Sequence, residues 1–169
     1  YTIYPPDDWQ PILQGPNLAQ LLWEVYGLYS QSAHTGLALR CLALAVSLPR
    51  NFFETVEVRM VWLEMLLKCT HQVMCNHLGM TDDANYSEFT RVMVHIKYNV
   101  SLSNMVNTQA YPVWISECAN FSVTSFMRYN SNHEHLLEFW ANMAVGRRLL
   151  SAGDNPSGLE ALLPRVIVA

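Results

Sequence analysis

The sequence predicts an all-α fold in which antiparallel helix pairs stack side by side as an α-solenoid. Three observations predict it. Apolar residues recur at the three-and-four spacing of a helix face along most of the chain. The alternation that marks strands is confined to short scraps such as Val166 to Val168, and no runs are joined by Asn-Gly or Asp-Gly turns. The helices fall into consecutive pairs spaced close to the ~40–47 residues of a two-helix repeat.

Residues 1–16 read as a loop punctuated by Pro5, Pro6, Pro11 and Pro16, with one turn around Trp9. A first pair occupies 17–48. Its first helix starts at Asn17 as N-cap and aligns Leu18, Leu21, Leu22, Val25 and Tyr29; its second aligns Leu37, Cys41, Leu44 and Leu48 and stops at Pro49. The second pair spans 49–101. Asn51 and Glu54 resemble a capping box, and the helix that follows puts Val56, Met60, Leu63, Leu67 and Met74 on one side and stops near Gly79. The polar stretch 81–85, with Asp83 as a helix cap, leads to a helix carrying Phe89, Val92, Met93 and Ile96.

Residues 101–110 are polar and poorly periodic and read as a connector. In the third pair, 102–150, Pro112 suits a first helical turn. Trp114, Cys118 and Phe121 should face Leu136, Leu137 and Trp140 across a turn at Asn130–Asn132. Residues 151–169 read as a loop and, from Pro164, the start of a further repeat. The chain opens on Tyr1 and closes on the apolar Val166–Ala169, so both ends are expected to be cuts through a longer polypeptide. Repeat pairs bury their faces only by stacking, so this length taken alone is expected to expose apolar faces and behave poorly.

Composition narrows the function. Half the chain is hydrophobic (51%) and 14% is charged, enough for a packed core and unlike a disordered chain. A net charge of -4 lacks the basic face of a nucleic-acid binder. The longest apolar stretch, Gly36 to Leu48, is broken by Arg40 and falls short of the ~18 residues of a membrane span. Cys41, Cys69, Cys75 and Cys118 lie in apolar helical patterns and read as reduced thiols. The Asn-x-Ser triplets at Asn85, Asn99 and Asn120 are expected by chance in a chain so rich in Asn, Ser and Thr.

Chemistry-bearing patterns are sparse. Cys69, His71, Cys75 and His77 are the one dense set of metal-ligand types. Only His71 and Cys75 share a helix face, so a closed four-ligand zinc site is not expected. His133 and His135 diverge around their helix, and Glu134 suits a helix N-terminus. Asp7-Asp8 and Asp82-Asp83 read as solvated loop charges. No phosphate-binding glycine loop, nucleophile elbow or His-Glu-x-x-His occurs, and neither an enzyme nor a cofactor is expected.

Several stretches carry a resemblance in one collinear order: Asn85-Tyr86-Ser87-Glu88-Phe89 with Arg91, Lys97-Tyr98-Asn99 leading to Met105-Val106, Tyr111-Pro112, Ala119 to Ser125, and His135-Leu136-Leu137-Glu138-Phe139-Trp140. Ile3 to Trp9 and Leu18 to Tyr29 precede them, and Leu159-Glu160 with Pro164 follows. Together they resemble the exportin-7 (Ran-binding protein 16) family of nuclear transport receptors, within the importin-β or karyopherin superfamily, and more distantly exportin-4. The turn at Asn130–Asn132 is shorter than the family's connector, and 145–157 match poorly.

The resemblance implies a segment of a HEAT-repeat receptor that binds the GTP form of the Ran GTPase, carries protein cargo and meets nuclear pore proteins. Localisation would be nucleus, cytoplasm and nuclear pore complex, with no nucleic-acid partner and no membrane insertion. The second helix of each pair lines the concave side in such receptors. That makes Arg40, Arg91, His95, Lys97, Glu134, Glu138 and Arg147 the candidate partner contacts, and no Ran contact is carried over by position. The alternative is a helical-repeat scaffold or adaptor outside transport.

Overall fold

A computed structural model describes residues 4–30, 32, 34–128 and 133–148. The regular elements among them are all helical, as the periodicity predicts. A 3-10 turn at Asp7–Trp9 leads into α1 (Gln10–Leu13), α2 (Pro16–Leu28) and α3 (Thr35–Ala45). A second 3-10 turn, Arg50–Phe52, precedes α4 (Val56–Asn76), α5 (Asp83–Asn99), the short α6 (Leu102–Val106), α7 (Tyr111–Arg128) and α8 (Glu134–Arg148).

Local chemistry sets the helix ends. Thr55, not Asn51, caps α4: its hydroxyl accepts the Val58 amide at 3.2 Å, because Arg50–Phe52 is already coiled as a separate turn. Asp82, not Asp83, caps α5 by accepting the Asn85 amide at 2.9 Å. Helix α2 starts one residue before Asn17, with Pro16 at its first position. Helix α4 ends on His77 in the left-handed region, φ 48°, and Gly79 follows at φ 67°. A Cβ on Gly79 would sit 2.8 Å from the Ser30 carbonyl oxygen, so glycine is required there for space as well as backbone. The expected connector after α5 contains α6, because Leu102 and Met105 are both buried and pin one helical turn to the core.

The helices form two layers. Helix α2 packs on α4 and α4 on α7; α3 packs on α5 and α5 on α8; α2 and α3 also pack directly on each other. Hydrogen bonds and ion pairs give the register along each layer. Glu64 of α4 meets the Ala110 amide just before α7, and Thr70 of α4 meets Trp114 of α7, at sequence separations of 46 and 44. Arg40 of α3 meets Glu88 of α5, and Ser47 just past α3 meets His95 of α5, both at 48. Tyr86 meets His133 at 47 where α5 reaches α8. Contact residues advance together on both partners, so neighbours within a layer run parallel, one repeat apart. Arg59 near the start of α4 donates to the Asn99 carbonyl at the end of α5, so these two run antiparallel. This is the α-solenoid of HEAT-type pairs that the sequence predicts.

Aromatic side chains fill the space between layers. Phe121 of α7 meets Phe89 of α5 edge-on at 5.6 Å, and Trp114 of α7 meets Phe139 of α8 at 5.8 Å. Trp114, Cys118, Phe121, Leu136 and Trp140 are buried as expected, but Leu137 is exposed and Phe139 takes its place in the core. The early helices depart further. Helix α2 buries Ala19, Trp23 and Tyr26 and exposes Leu21 and Val25, with Tyr29 exposed just past its end; α3 buries Ala38, Leu39, Leu42 and Ala43, with Val46 buried just past its end, and exposes Leu37, Cys41 and Leu44. Both helices are apolar most of the way round, so periodicity could not choose a face. On α4, Val56 is exposed, while Leu63, Leu67 and Met74 are buried. The expected turn at Asn130–Asn132 and the segment 151–169 lie outside the described residues.

Candidate partner-binding surface

The candidate contacts converge because α3, α5 and α8 form one layer. Arg40 extends from α3 and its Nε donates to Glu88 Oε1 of α5 at 2.9 Å. Arg91, one turn beyond Glu88, places Nη1 3.3 Å from Glu88 Oε2. Glu88 is thus a shared anion between two repeats. Its side chain is 12% exposed, against 62% for Arg40 and 39% for Arg91, so the two guanidiniums reach solvent while the carboxylate orients them.

The next position along the layer is His95, whose Nδ1 lies 2.7 Å from Ser47 Oγ. Ser47 Oγ also donates to the Ala43 carbonyl at 2.8 Å. With its one proton committed there, the hydroxyl accepts from an Nδ1–H of His95. Burial, and then the positive charge of Arg91, push the His95 pKa below its ordinary 6.5. His135 of α8 adds to the same effect, which places it in electrostatic reach of His95.

Lys97 is turned differently. It is buried, its Cε lies close against Gly146 of α8, and burial lowers its pKa. On α8, Glu134 is exposed, and Glu138 is half exposed with Oε2 4.0 Å from His135 Nδ1. Arg147 lies in α8, and its side chain is outside the described residues. The surface therefore joins Arg40, Arg91 and His95 around Glu88, sets Glu134 and Glu138 on the adjacent helix, and draws Lys97 into the packing between α5 and α8. Sequence reasoning missed Glu88, Ser47 and His135. Glu88 carried a signal in its three-residue spacing from Arg91; its pairing with Arg40 needed the register between repeats.

The other singled-out residues separate. Cys69 donates to Met65 Sδ at 3.7 Å, and His77 stacks on Phe121 at 6.1 Å. His71 stays with Cys75, Nε2 to Sγ 3.4 Å. His133 Nδ1 meets the Tyr86 hydroxyl at 2.8 Å, whereas His135 Nδ1 lies 4.0 Å from Glu138 Oε2. No helix among the described residues is long and apolar enough to cross a membrane.

No protein-family model and no solved structure matches the chain. Curated proteins do. The chain is 30% identical over 169 residues to Exportin-7-B of Xenopus laevis, covering 98% of this chain and 15% of that protein. It is 31% identical over 176 residues to Ran-binding protein 17 of Homo sapiens, covering 99% and 15%. Exportin-7 of Dictyostelium discoideum is 25% identical over 169 residues. The chain is exportin-7-like. It spans about a sixth of the length of the relatives it matches. The exportin-7-like chain is, in structure, a run of stacked helical repeats whose second-helix layer carries a polar surface of both charge signs.

Proposed function

We propose that this chain is a helical-repeat segment of a nuclear transport receptor that binds the GTP form of Ran and carries protein cargo between nucleus and cytoplasm through the nuclear pore complex, where nuclear pore proteins are further partners. The observation that carries this reading is similarity along 97–99% of the chain to proteins named exportin-7 and Ran-binding protein 16 or 17. The layered stack supports it physically. A solenoid offers a long surface, and small rotations between repeats summed over many of them let two ligands bias one superhelix, so each changes the other's affinity.

Within this segment, the layer of α3, α5 and α8 is the contact surface, with Arg40, Arg91, His95, Lys97, Glu134, Glu138 and Arg147 as its charged set. Paired guanidiniums held by a half-hidden carboxylate are pre-oriented donors for acidic groups on a partner. Lys97 serves from beneath, through the seating of α8. The chain acts by binding, without a catalytic group or cofactor of its own.

A pull-down of the full-length protein with Ran loaded with GTP or GDP tests the reading. Retention of the GTP form alone is the expected result. Equal retention of both forms, or of neither, would remove Ran from the proposal.

A further inference from the structure

We infer that His71, Cys75 and Glu117 form a surface site for a zinc-class divalent cation, bridging α4 and α7, with the remaining coordination position open to solvent. One donor atom from each of the three side chains lies within 4.8 Å of the others. His71 and Cys75 are four residues apart on α4, so they stand one above the other on the same face. Glu117 comes from the next repeat. The parallel register brings it there: Trp114 Nε1 donates to Thr70 Oγ1 at 2.8 Å, and one turn further along both helices Glu117 reaches the His71–Cys75 pair.

The donor set and its spacing fit the ion. Imidazole nitrogen, thiolate sulfur and carboxylate oxygen are the ligand types of zinc, with bonds of ~2.0–2.3 Å. At tetrahedral angles those bonds put donor atoms about 3.5 Å apart. The His71 Nε2 to Cys75 Sγ distance is already 3.4 Å, and closing the third corner from 4.8 Å or less needs side-chain rotation alone. Cys75 is exposed and His71 and Glu117 are half-buried, so an ion reaches the site without opening the core.

Binding requires Cys75 to give up its thiol proton. Partial burial and the neighbouring Glu117 carboxylate raise the Cys75 thiol pKa, because a thiolate there would face a second anion. A divalent cation reverses that balance: it stabilises thiolate and carboxylate together and releases the thiol proton to solvent. Two other thiols differ. Cys69 is half-buried against Met65, and Cys118 is enclosed in the core with its pKa raised well above 9.0. Because the three ligands come from neighbouring repeats, an ion held by them would clip α4 to α7 and stabilise the stack by linkage.

The test titrates zinc, and cobalt(II) as its coloured stand-in, into the full 169-residue chain and into Cys75→Ser, Glu117→Gln and Cys69→Ser variants. The expected result is one ion per chain, a thiolate-to-cobalt charge-transfer band, and a higher melting temperature with metal. Cys75→Ser should abolish the band, Glu117→Gln should weaken zinc binding at least tenfold, and Cys69→Ser should change neither. Helical circular dichroism checks each variant; should Cys75→Ser lose its fold, Glu117→Gln alone decides. A chain that binds no zinc, or binds it equally well without the Glu117 carboxylate, overturns the proposal. Loss of the band in Cys69→Ser with retention in Cys75→Ser overturns it as well.

Discussion

The indole Nε1 of Trp140 donates to Ser122 Oγ at 2.9 Å, and the same hydroxyl donates to the Cys118 carbonyl at 2.7 Å. All three residues are buried, so α8 is tied to the backbone of α7 through a chain of two hydrogen bonds inside the core. Trp140→Ala should cost about 3–5 kcal/mol, the range for a buried aromatic whose cavity cannot fully collapse. Urea unfolding measures the loss. In the full-length protein, melting should fall while Ran-GTP affinity holds. Unchanged melting with lost Ran binding would make Trp140 a contact residue.

Thr70 plays the same part between α4 and α7. It accepts from Trp114 Nε1 at 2.8 Å while donating to carbonyls of its own helix. Thr70→Val keeps the shape and strands a buried indole N–H, which should cost about 1–3 kcal/mol. Chemical denaturation should show a lower midpoint at an unchanged slope. A neutral substitution would mean that the indole finds another acceptor.

Gly79 sits at φ 67°, with space for a Cβ blocked by the Ser30 carbonyl at 2.8 Å. Gly79→Ala should lose at least about 1–2 kcal/mol from left-handed backbone alone, with the clash added. Since Ser30 follows α2 and Gly79 follows α4, the damage should appear as earlier melting with faster amide exchange in both connections. Exchange that rises in neither connection would show that they adjust independently.

His95 makes stability pH-dependent with a definite sign. Its folded pKa lies below the ordinary 6.5, so on acidification the unfolded chain takes up the proton first. Its contribution is present above pH 6.5 and is lost as pH falls through the folded pKa. Unfolding free energy measured across that window should drop more steeply for the wild-type chain than for His95→Gln. Parallel slopes would remove His95 as the titrating group.

Leu28 and Leu44 are large apolar residues exposed on α2 and α3. The 169-residue chain on its own should self-associate through such surface. Leu28→Glu with Leu44→Glu should shift sedimentation toward monomer and leave the helical circular dichroism intact. A wild-type chain that sediments as a monomer would contradict this.

The sequence by itself determined that the fold is helical and repetitive, and it placed the core faces of α5 and α7, though on α8 it chose Leu137 over Phe139. On α5 and α7, apolar residues occupy one face among polar ones, so Phe89, Val92, Met93, Ile96, Trp114 and Cys118 could be assigned as buried before any coordinates. Tertiary structure decided the rest. Helices α2 and α3 are apolar nearly all round, and only their packing partners chose Trp23 and Tyr26 over Leu21 and Val25. The paired charges follow the same rule. Arg40 and Glu88 lie 48 residues apart, and Cys75 and Glu117 lie on different repeats. Helical periodicity reaches three or four residues; contacts between parallel helices one repeat apart are set by how the layers stack, and that register is a property of the packed core.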